Sequence, residues 1–208
     1  MQKIEKQKKN KGKSNLNTLV LESTENGDYP IDIYQKLAND RILFICDKIN
    51  TSLATDICAT LMLKDAEDDS KISLFINSPG GDIRDVFMIY DIMQMINAPI
   101  ETVCIGQASD EAAILLMAGT PGMRLATKNC CIAVSQLIHD WITRANLTDA
   151  KKILDLATSD NKKMMEIVAK STQKSLKQVM GDFDRRVFMS ASQAFKYGFI
   201  DKIIKFSK

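Results

Sequence analysis

The sequence predicts an α/β fold in which strands and helices alternate and the strands pair mostly in parallel. Two observations carry that reading. From Arg41 onward, short apolar runs alternate with longer segments whose apolar residues recur every three to four positions. Parallel neighbours need a long crossover between them, and such helices supply it. A third observation fixes the domain count. No repeat and no second composition regime interrupts the 208 residues, a length that suits one domain burying roughly 70% of its unfolded surface.

The chain opens on MQKIEKQKKNKGKS, with six lysines and one glutamate in fourteen residues. A run this polar cannot bury apolar surface, so residues 1–16 are expected to form a disordered basic tail. The rest of the chain then nets −3 beneath the formal +2 of the whole. The tail suits contact with nucleic acid or membrane, or plain solvation as a processing remnant. Without it no basic face argues for a nucleic-acid partner.

Residues 17–208 are read as one folded domain. "NTLVLES" is a short apolar segment that "ENGDYP" breaks with turn residues. "RILFICD" reads as a buried strand. "NTSLATDICATLMLKDAED" reads as a helix with Asn50 or Thr51 at its N-cap. "KISLFINS" is the next strand and "PGG" a turn. "DIRDVFMIYDIMQMIN" is amphipathic, with Ile83, Val86, Phe87, Tyr90 and Met93 along one stripe. "APIETVCIG" is a strand, and "DEAAILLMAG" a helix that stops at Gly119. "GMRLATKN" and "CCIAVS" are two more short strands. "TDAKKILDLATSDNKKMMEIVAKS" is a long helix, "SASQAFKYG" a short one ending at Gly198, and "FIDKIIKF" closes the fold.

Five cysteines (46, 58, 104, 130 and 131) sit mostly in apolar runs. An odd number so placed fits reduced core thiols in a reducing compartment better than a disulfide framework. No Cys/His spacing suggests a metal. No run of 18 apolar residues spans a membrane, and no h-region marks a secretory signal.

Two glycine-rich turns follow strands: "NSPGG" at Asn77–Gly81 and "GQAS" at Gly106–Ser109. Neither has the spacing of a nucleotide loop, so no cofactor is expected. Gly80 and Gly81 either make a plain tight turn or expose backbone N–H groups to a substrate carbonyl, an approach that glycine permits. The stretch "GQASDEAAILLMAG" runs from a strand into a helix and presents Asp110 and Glu111 at the junction. Hydrolases commonly place a nucleophile in such a position, beside N–H groups that hold an oxyanion.

Four motifs occur in order: "INSPGG", "IYDIMQ", "VCIGQAS" and "FMSASQAFKYGFIDKI". In these the chain resembles the proteolytic subunit of the caseinolytic (Clp) protease, from about Asn17 to its C-terminus. The resemblance implies a crotonase-like α/β fold of repeated β-β-α units with a protruding strand-helix handle, here about 136–170. It also implies seven-membered rings, a Ser-His-Asp triad within a closed chamber, and an ATP-driven AAA+ unfoldase docked outside. The family's nucleophilic serine lies in G-Q-A-[AS]-S-M-[GA]-A, where this chain has Asp110. The following methionine, whose N–H helps bind the oxyanion, is Glu111. The triad histidine position is Ser135 and the triad aspartate position is Arg186, in "DRRVFMSA". Gly81, the other oxyanion donor, is kept.

The residues agree with that carry-over. A serine protease needs a nucleophile, a base in reach and an orienting group. The single histidine, His139, lies four residues past the base position. Ser109 stands one residue before Asp110, a step that swings a side chain by roughly 100° at a helix start. Asp110 and Glu111 are adjacent and diverge, which disfavours a shared-proton carboxylate pair. Asp110 and Arg186 either meet as an ion pair or stand apart in chamber water. An acid at a helix N-terminus is also favourable by a few tenths to about 1 kcal/mol.

The segment Gln136 to Asn146, "QLIHDWITRAN", has no glycine where the family's ring-joining handle usually does, and carries Trp141. Asp184-Arg185 does match an acid–Arg pair that the family uses between rings. Phe75 and Met95 fall on positions of the family's unfoldase pocket, or pack as ordinary core or subunit interface. The resemblance thus implies a non-catalytic ClpR-type subunit, in a homo-oligomeric ring and with active Clp subunits as possible companions. It implies a plastid-type stroma, of chloroplast or apicoplast, or a cyanobacterial-like setting. The alternatives are a Clp-type serine peptidase with a displaced site and a crotonase-like acyl-CoA enzyme. The "SASQAFKYGFIDKI" ending speaks against the last.

Overall fold

The structure, a computed structural model, describes residues 19–24, 27–137 and 146–205. These fall into two compact units that divide between Asp40 and Arg41. In the first, β1 (Leu19–Thr24) and β2 (Gly27–Asp32) form an antiparallel hairpin, followed by the short helix α1 (Ile33–Asn39). Asp32 caps α1 by accepting from the Tyr34 N–H. The sequence reading finds the β1 segment but neither its partner nor α1. Pro30 and the turn residues around it obscure the second strand.

The second unit holds the α/β fold. Its strands are β3 (Ile42–Ile45), β4 (Ile72–Ser78), β5 (Ile100–Ser109), β6 (Arg124–Thr127), β7 (Cys131–Val134), β8 (Val187–Ser190) and β9 (Lys202–Ile204). The order β3-β4-β5-β6-β9 is parallel throughout. The far end of β5 departs from β6 and pairs in parallel with β7, which in turn pairs antiparallel with β8. The α/β class and the mostly parallel pairing expected from the sequence both hold.

Helix α2 (Thr51–Glu67) links β3 to β4, and the Asn50 side chain caps it by accepting from the Leu53 N–H. Helix α3 (Ile83–Met95) links β4 to β5, capped by Asp82. Its buried stripe is Ile83, Val86, Ile89 and Met93. Phe87 and Tyr90, expected on that stripe, are only half-buried, because the helix turns its Ile89 side to the sheet. Helix α4 (Glu111–Met117) follows β5 and is almost wholly buried, with Ile114, Leu115 and Leu116 in the centre of the core. Fully burying three such side chains contributes roughly 1.5–3 kcal/mol each.

Helix α5 (Leu147–Thr172) buries residues only from Ala157 onward. Its first turns, within the expected handle, carry Leu147 and Leu154 into solvent. Helices α6 (Leu176–Asp182) and α7 (Ala191–Tyr197) complete the unit. Ser190 and Gln193 form a reciprocal cap at the start of α7, and Gly198 ends it with φ +104°. Helix α6 and strand β8 were not legible as such. Each is short, and β8 has an apolar residue at three of four positions without alternation.

Candidate functional site

The carboxyl ends of β4, β5 and β7 converge on one cleft of about 340 Å³. Such a place, beyond the strand ends of an open α/β sheet, is where ligands of these folds bind. Register alone assembles it. β5 pairs with β7 through Ser109↔Ala133, so Asp110 lies beside the end of β7, and its N–H donates to Ala133 O at 2.7 Å. β7 pairs with β8 through Val134↔Val187, which sets Ser135 opposite Arg186. β4 pairs with β5 through Ser78↔Ala108, which brings Gly80 and Gly81 to Glu111.

Asp110 holds φ +51°, ψ −113°, a conformation that L-residues seldom adopt. That sharp strand-to-helix turn lifts the side chain out of the sheet and away from α4, whose N–H groups it does not cap. The stabilisation expected from an acid at the helix start is therefore not used through a cap. Both carboxylate oxygens are taken elsewhere. Ser135 Oγ donates to Oδ1 at 2.9 Å, and Arg186 Nη2 donates to Oδ2 in a very close contact. Of the two outcomes left open by the sequence, contact or separate solvation, the structure has the contact. The Asp110 side chain is 13% exposed and that of Arg186 43%. Arg186 also lies over the Phe188 ring, 5.3 Å from its centroid. The sequence reading missed Phe188. Its spacing of two from Arg186, along a strand and hence on one face, is the signal that was there.

Glu111 turns the other way, as adjacency predicts. Its Oε2 accepts the Gly81 N–H at 3.2 Å. A Cβ added at Gly80, which holds φ +105°, would meet the same oxygen at 2.5 Å. The carboxylate thus lies across the Gly80–Gly81 turn, and the N–H that the sequence offers as an oxyanion donor already holds an internal anion. Burial raises the Glu111 pKa above the ordinary glutamate range; the N–H groups of Glu111 and Gly81 oppose that, Asp110 adds to it and Arg186 opposes it. Gly81 itself is locked. A Cβ there would fall 2.1 Å from Ile49 O, because Ile49 and Gly81 form a parallel bridge.

Lys48, Pro79 and Gln136 line the rest of the cleft. Gln136 Nε2 donates to Asp184 Oδ1 at 2.7 Å, so Asp184 is tied to the end of the β7 segment, while Arg185 reaches only its neighbour Asp184, at 3.8 Å. Ser109 is buried and donates to Gln107 Oε1 at 3.3 Å, away from Asp110. His139 and Trp141 lie outside the described residues. Phe75 is half-buried and stacks on Phe44 with ring centroids 5.3 Å apart, whereas Met95 is 73% exposed at the end of α3. Among the described residues no group of three His, Cys, Asp or Glu side chains can hold a metal, and no helix is long and apolar enough to cross a membrane.

The profile described as "Clp protease" matches residues 23–207. The chain belongs to the Clp protease family. That membership accounts for the α/β fold of the Clp protease and crotonase-like class, and it makes a peptidase relation and a place in a protease complex the frame for the cleft. Within that frame, the three residues that the sequence motifs lead one to expect at the triad positions, Asp110, Ser135 and Arg186, meet in the structure. The side chains at those positions form a closed set of an acid, a hydroxyl and a guanidinium. The carboxylate of that set has both of its oxygens engaged, by the hydroxyl and by the guanidinium.

Proposed function

We propose that this chain is a catalytically inert, ClpR-type subunit of a Clp-type ATP-dependent protease complex. It shapes and regulates a ring of seven rather than cutting peptides. One observation carries the reading. The side chain at the nucleophile position is a carboxylate whose two oxygens are both engaged, by Ser135 and by Arg186. A carboxylate so held is a poor nucleophile, and the hydroxyl beside it donates to the acid instead of to a base. The Glu111 carboxylate at the Gly81 N–H supports the same reading, since a developing oxyanion would meet a resident negative charge.

In this reading the chain's companions are active Clp subunits and an AAA+ unfoldase, with Met95 and Phe75 on the docking face. Its setting is a plastid-type stroma. The first turns of α5 belong to the handle, and the glycine-free segment before them favours a single ring when the protein is alone.

The test is direct. Purified protein is assayed with fluorogenic peptides and with a serine-directed phosphonate, alone and mixed with an active Clp subunit. The expected result is no hydrolysis and no covalent labelling by the protein alone, with a native mass near that of seven copies. Stoichiometric labelling of the unmodified chain would overturn inertness, and a stable monomer would overturn the ring.

A further inference from the structure

One turn of α5 reaches two rims of the cleft. Asp160 and Asn161 stand side by side just past Ala157, the first residue that α5 buries. The Asp160 side chain is 2% exposed, and its Oδ2 accepts from Arg84 Nη2 at 2.5 Å. Arg84 lies in the first turn of α3, directly after the Gly80–Gly81 rim. Asn161 Oδ1 accepts the Leu137 N–H at 3.2 Å. Leu137 directly follows Ser135 and Gln136, which form the rim at the end of β7.

Both links are polar and directional. A carboxylate as buried as Asp160 is kept only with a partner, and Arg84 is that partner. The other oxygen, Oδ1, accepts no hydrogen bond among the described residues, and Lys163 Nζ stands 3.9 Å from it. Displacing the start of α3 therefore strands a buried charge. Leu137 lies beyond the β7 ladder, which ends at Val134, so its N–H needs an acceptor from outside the sheet. Displacing that rim from α5 leaves the N–H without one. Two internal contacts depend on where these rims stand. Gly81 N–H reaches Glu111 Oε2 at 3.2 Å, and Ser135 Oγ reaches Asp110 Oδ1 at 2.9 Å.

We propose that Asp160 and Asn161 form a clamp that holds the two rims where the cleft is filled by its own side chains. Asp160 is the jaw on the Gly81 rim, through Arg84. Asn161 is the jaw on the Ser135 rim, through Leu137. The clamp is an autoinhibitory device. While it is closed, Glu111 keeps the Gly81 N–H and Asp110 keeps the Ser135 hydroxyl. With a jaw cut, its rim parts from α5 and the contact it supports opens to water. The regulatory meaning of the clamp rests on the inert reading given above. The jaws themselves are positioning residues, and their action is measured without catalysis.

The test uses the full chain and amide hydrogen exchange read by mass spectrometry over residues 78–84 and 134–137. Arg84→Met/Asp160→Leu removes the first jaw without leaving a buried charge unpaired. Asn161→Ala removes the second, and Asn161→Asp keeps an acceptor oxygen in its place. The first variant should speed exchange around Gly81, and Asn161→Ala around Ser135, each on the order of fivefold. The combined variant should speed both, Asn161→Asp should restore the parent rate, and α4 should exchange as slowly as in the parent. Where the first variant folds poorly, Asp160→Asn, nearly isosteric, should give a smaller rise confined to the Gly81 rim. Rims that exchange as in the parent once the jaws are cut, a rise that spreads equally into α4, or no restoration by Asn161→Asp would each overturn the clamp. Peptide hydrolysis by the parent would instead overturn the inert reading, and these rates would still decide whether the jaws hold the rims.

Discussion

Arg186 closes on Asp110 from the far side of a three-stranded path: β5 carries the acid to the strand end, β7 lies between, and antiparallel β8 returns the guanidinium to it. The two partners are unequally buried, 13% against 43% exposed. Removing one is therefore not equivalent to removing the other. Arg186→Met strands a mostly buried carboxylate with Ser135 alone, at a cost of roughly 1–3 kcal/mol. Asp110→Asn leaves a guanidinium that water and Phe188 still serve, and should cost about 0–1 kcal/mol. For a chain of this size, 1 kcal/mol shifts Tm by about 2–4 °C. Thermal melts that rank Asp110→Asn as the more harmful change would contradict this account of the pair.

The sequence makes the fold legible from Arg41 onward because its helices are long enough to show a period and its buried strands are bounded by turns. The resemblance to the Clp family pointed to Asp110, Glu111, Ser135 and Arg186 one by one. It could not show where the Asp110 side chain goes. That depends on a backbone angle of φ +51°, and no residue type in "ASDEAA" announces one. Nor could it show that Glu111 folds back on Gly81, a contact set by the β4–β5 register. Strand β8 escaped for a related reason. Four residues pairing with one short neighbour carry little local signal, and their placement is a tertiary fact.

The strained turn at Asp110 gives a second prediction. An L-residue at φ +51°, ψ −113° costs of order 1–3 kcal/mol that glycine does not. Asp110→Gly and Asp110→Ala both delete the carboxylate, yet only the first relieves the backbone. After allowing roughly 0.5–1 kcal/mol for glycine's greater unfolded freedom, Asp110→Gly should be the more stable of the two in urea titrations. Equal stability, or an advantage for alanine, would show that the turn carries no strain.

Reversal at the nucleophile position should be silent in catalysis. Asp110→Ser restores a hydroxyl, but its neighbour would be Ser135, and the guanidinium of Arg186 would remain where an orienting acid is needed. Residues of a triad act as a unit, so one restored member gains little. Peptide hydrolysis by this variant should stay at background, and a serine-directed phosphonate should not label it. Activity from the single change would mean that a base reaches the site from residues outside those described.

Gly81 should be the least replaceable residue of the cleft. A methyl group there would meet backbone, 2.1 Å from Ile49 O, and backbone cannot rotate away. Gly80→Ala meets first a side-chain oxygen, that of Glu111, at 2.5 Å, although φ +105° and Ser109 O at 3.0 Å remain against it. Gly81→Ala should therefore break the Ile49–Gly81 bridge and destabilise by about 3 kcal/mol or more. Glu111→Ala should partly rescue Gly80→Ala and leave Gly81→Ala unchanged. Melting temperatures of the two double variants check the difference.

Glu111 ties the cleft to pH. Burial raises its pKa above the value it has in the unfolded chain, so the folded state takes up the proton first as pH falls. Above the folded value the charged group is a stability cost in full. Between the folded and the ordinary glutamate values that cost fades as pH decreases, because only the folded protein is gaining the proton. The sign is thus opposite to that of a salt-bridged acid. The groups that face it work in both directions, with Asp110 raising and Arg186 and the Gly81 N–H lowering the value. Glu111→Gln is nearly isosteric, keeps an oxygen for the Gly81 N–H, and cannot ionise. Its melting temperature should exceed the parent's near neutral pH, and the gap should shrink as pH falls through the window just above the ordinary carboxylate range. Arg186→Met, which removes a cation that lowers the Glu111 value, should widen that window upward. A gap that is constant with pH, or that grows on acidification, would show that Glu111 is not held in its charged form against burial.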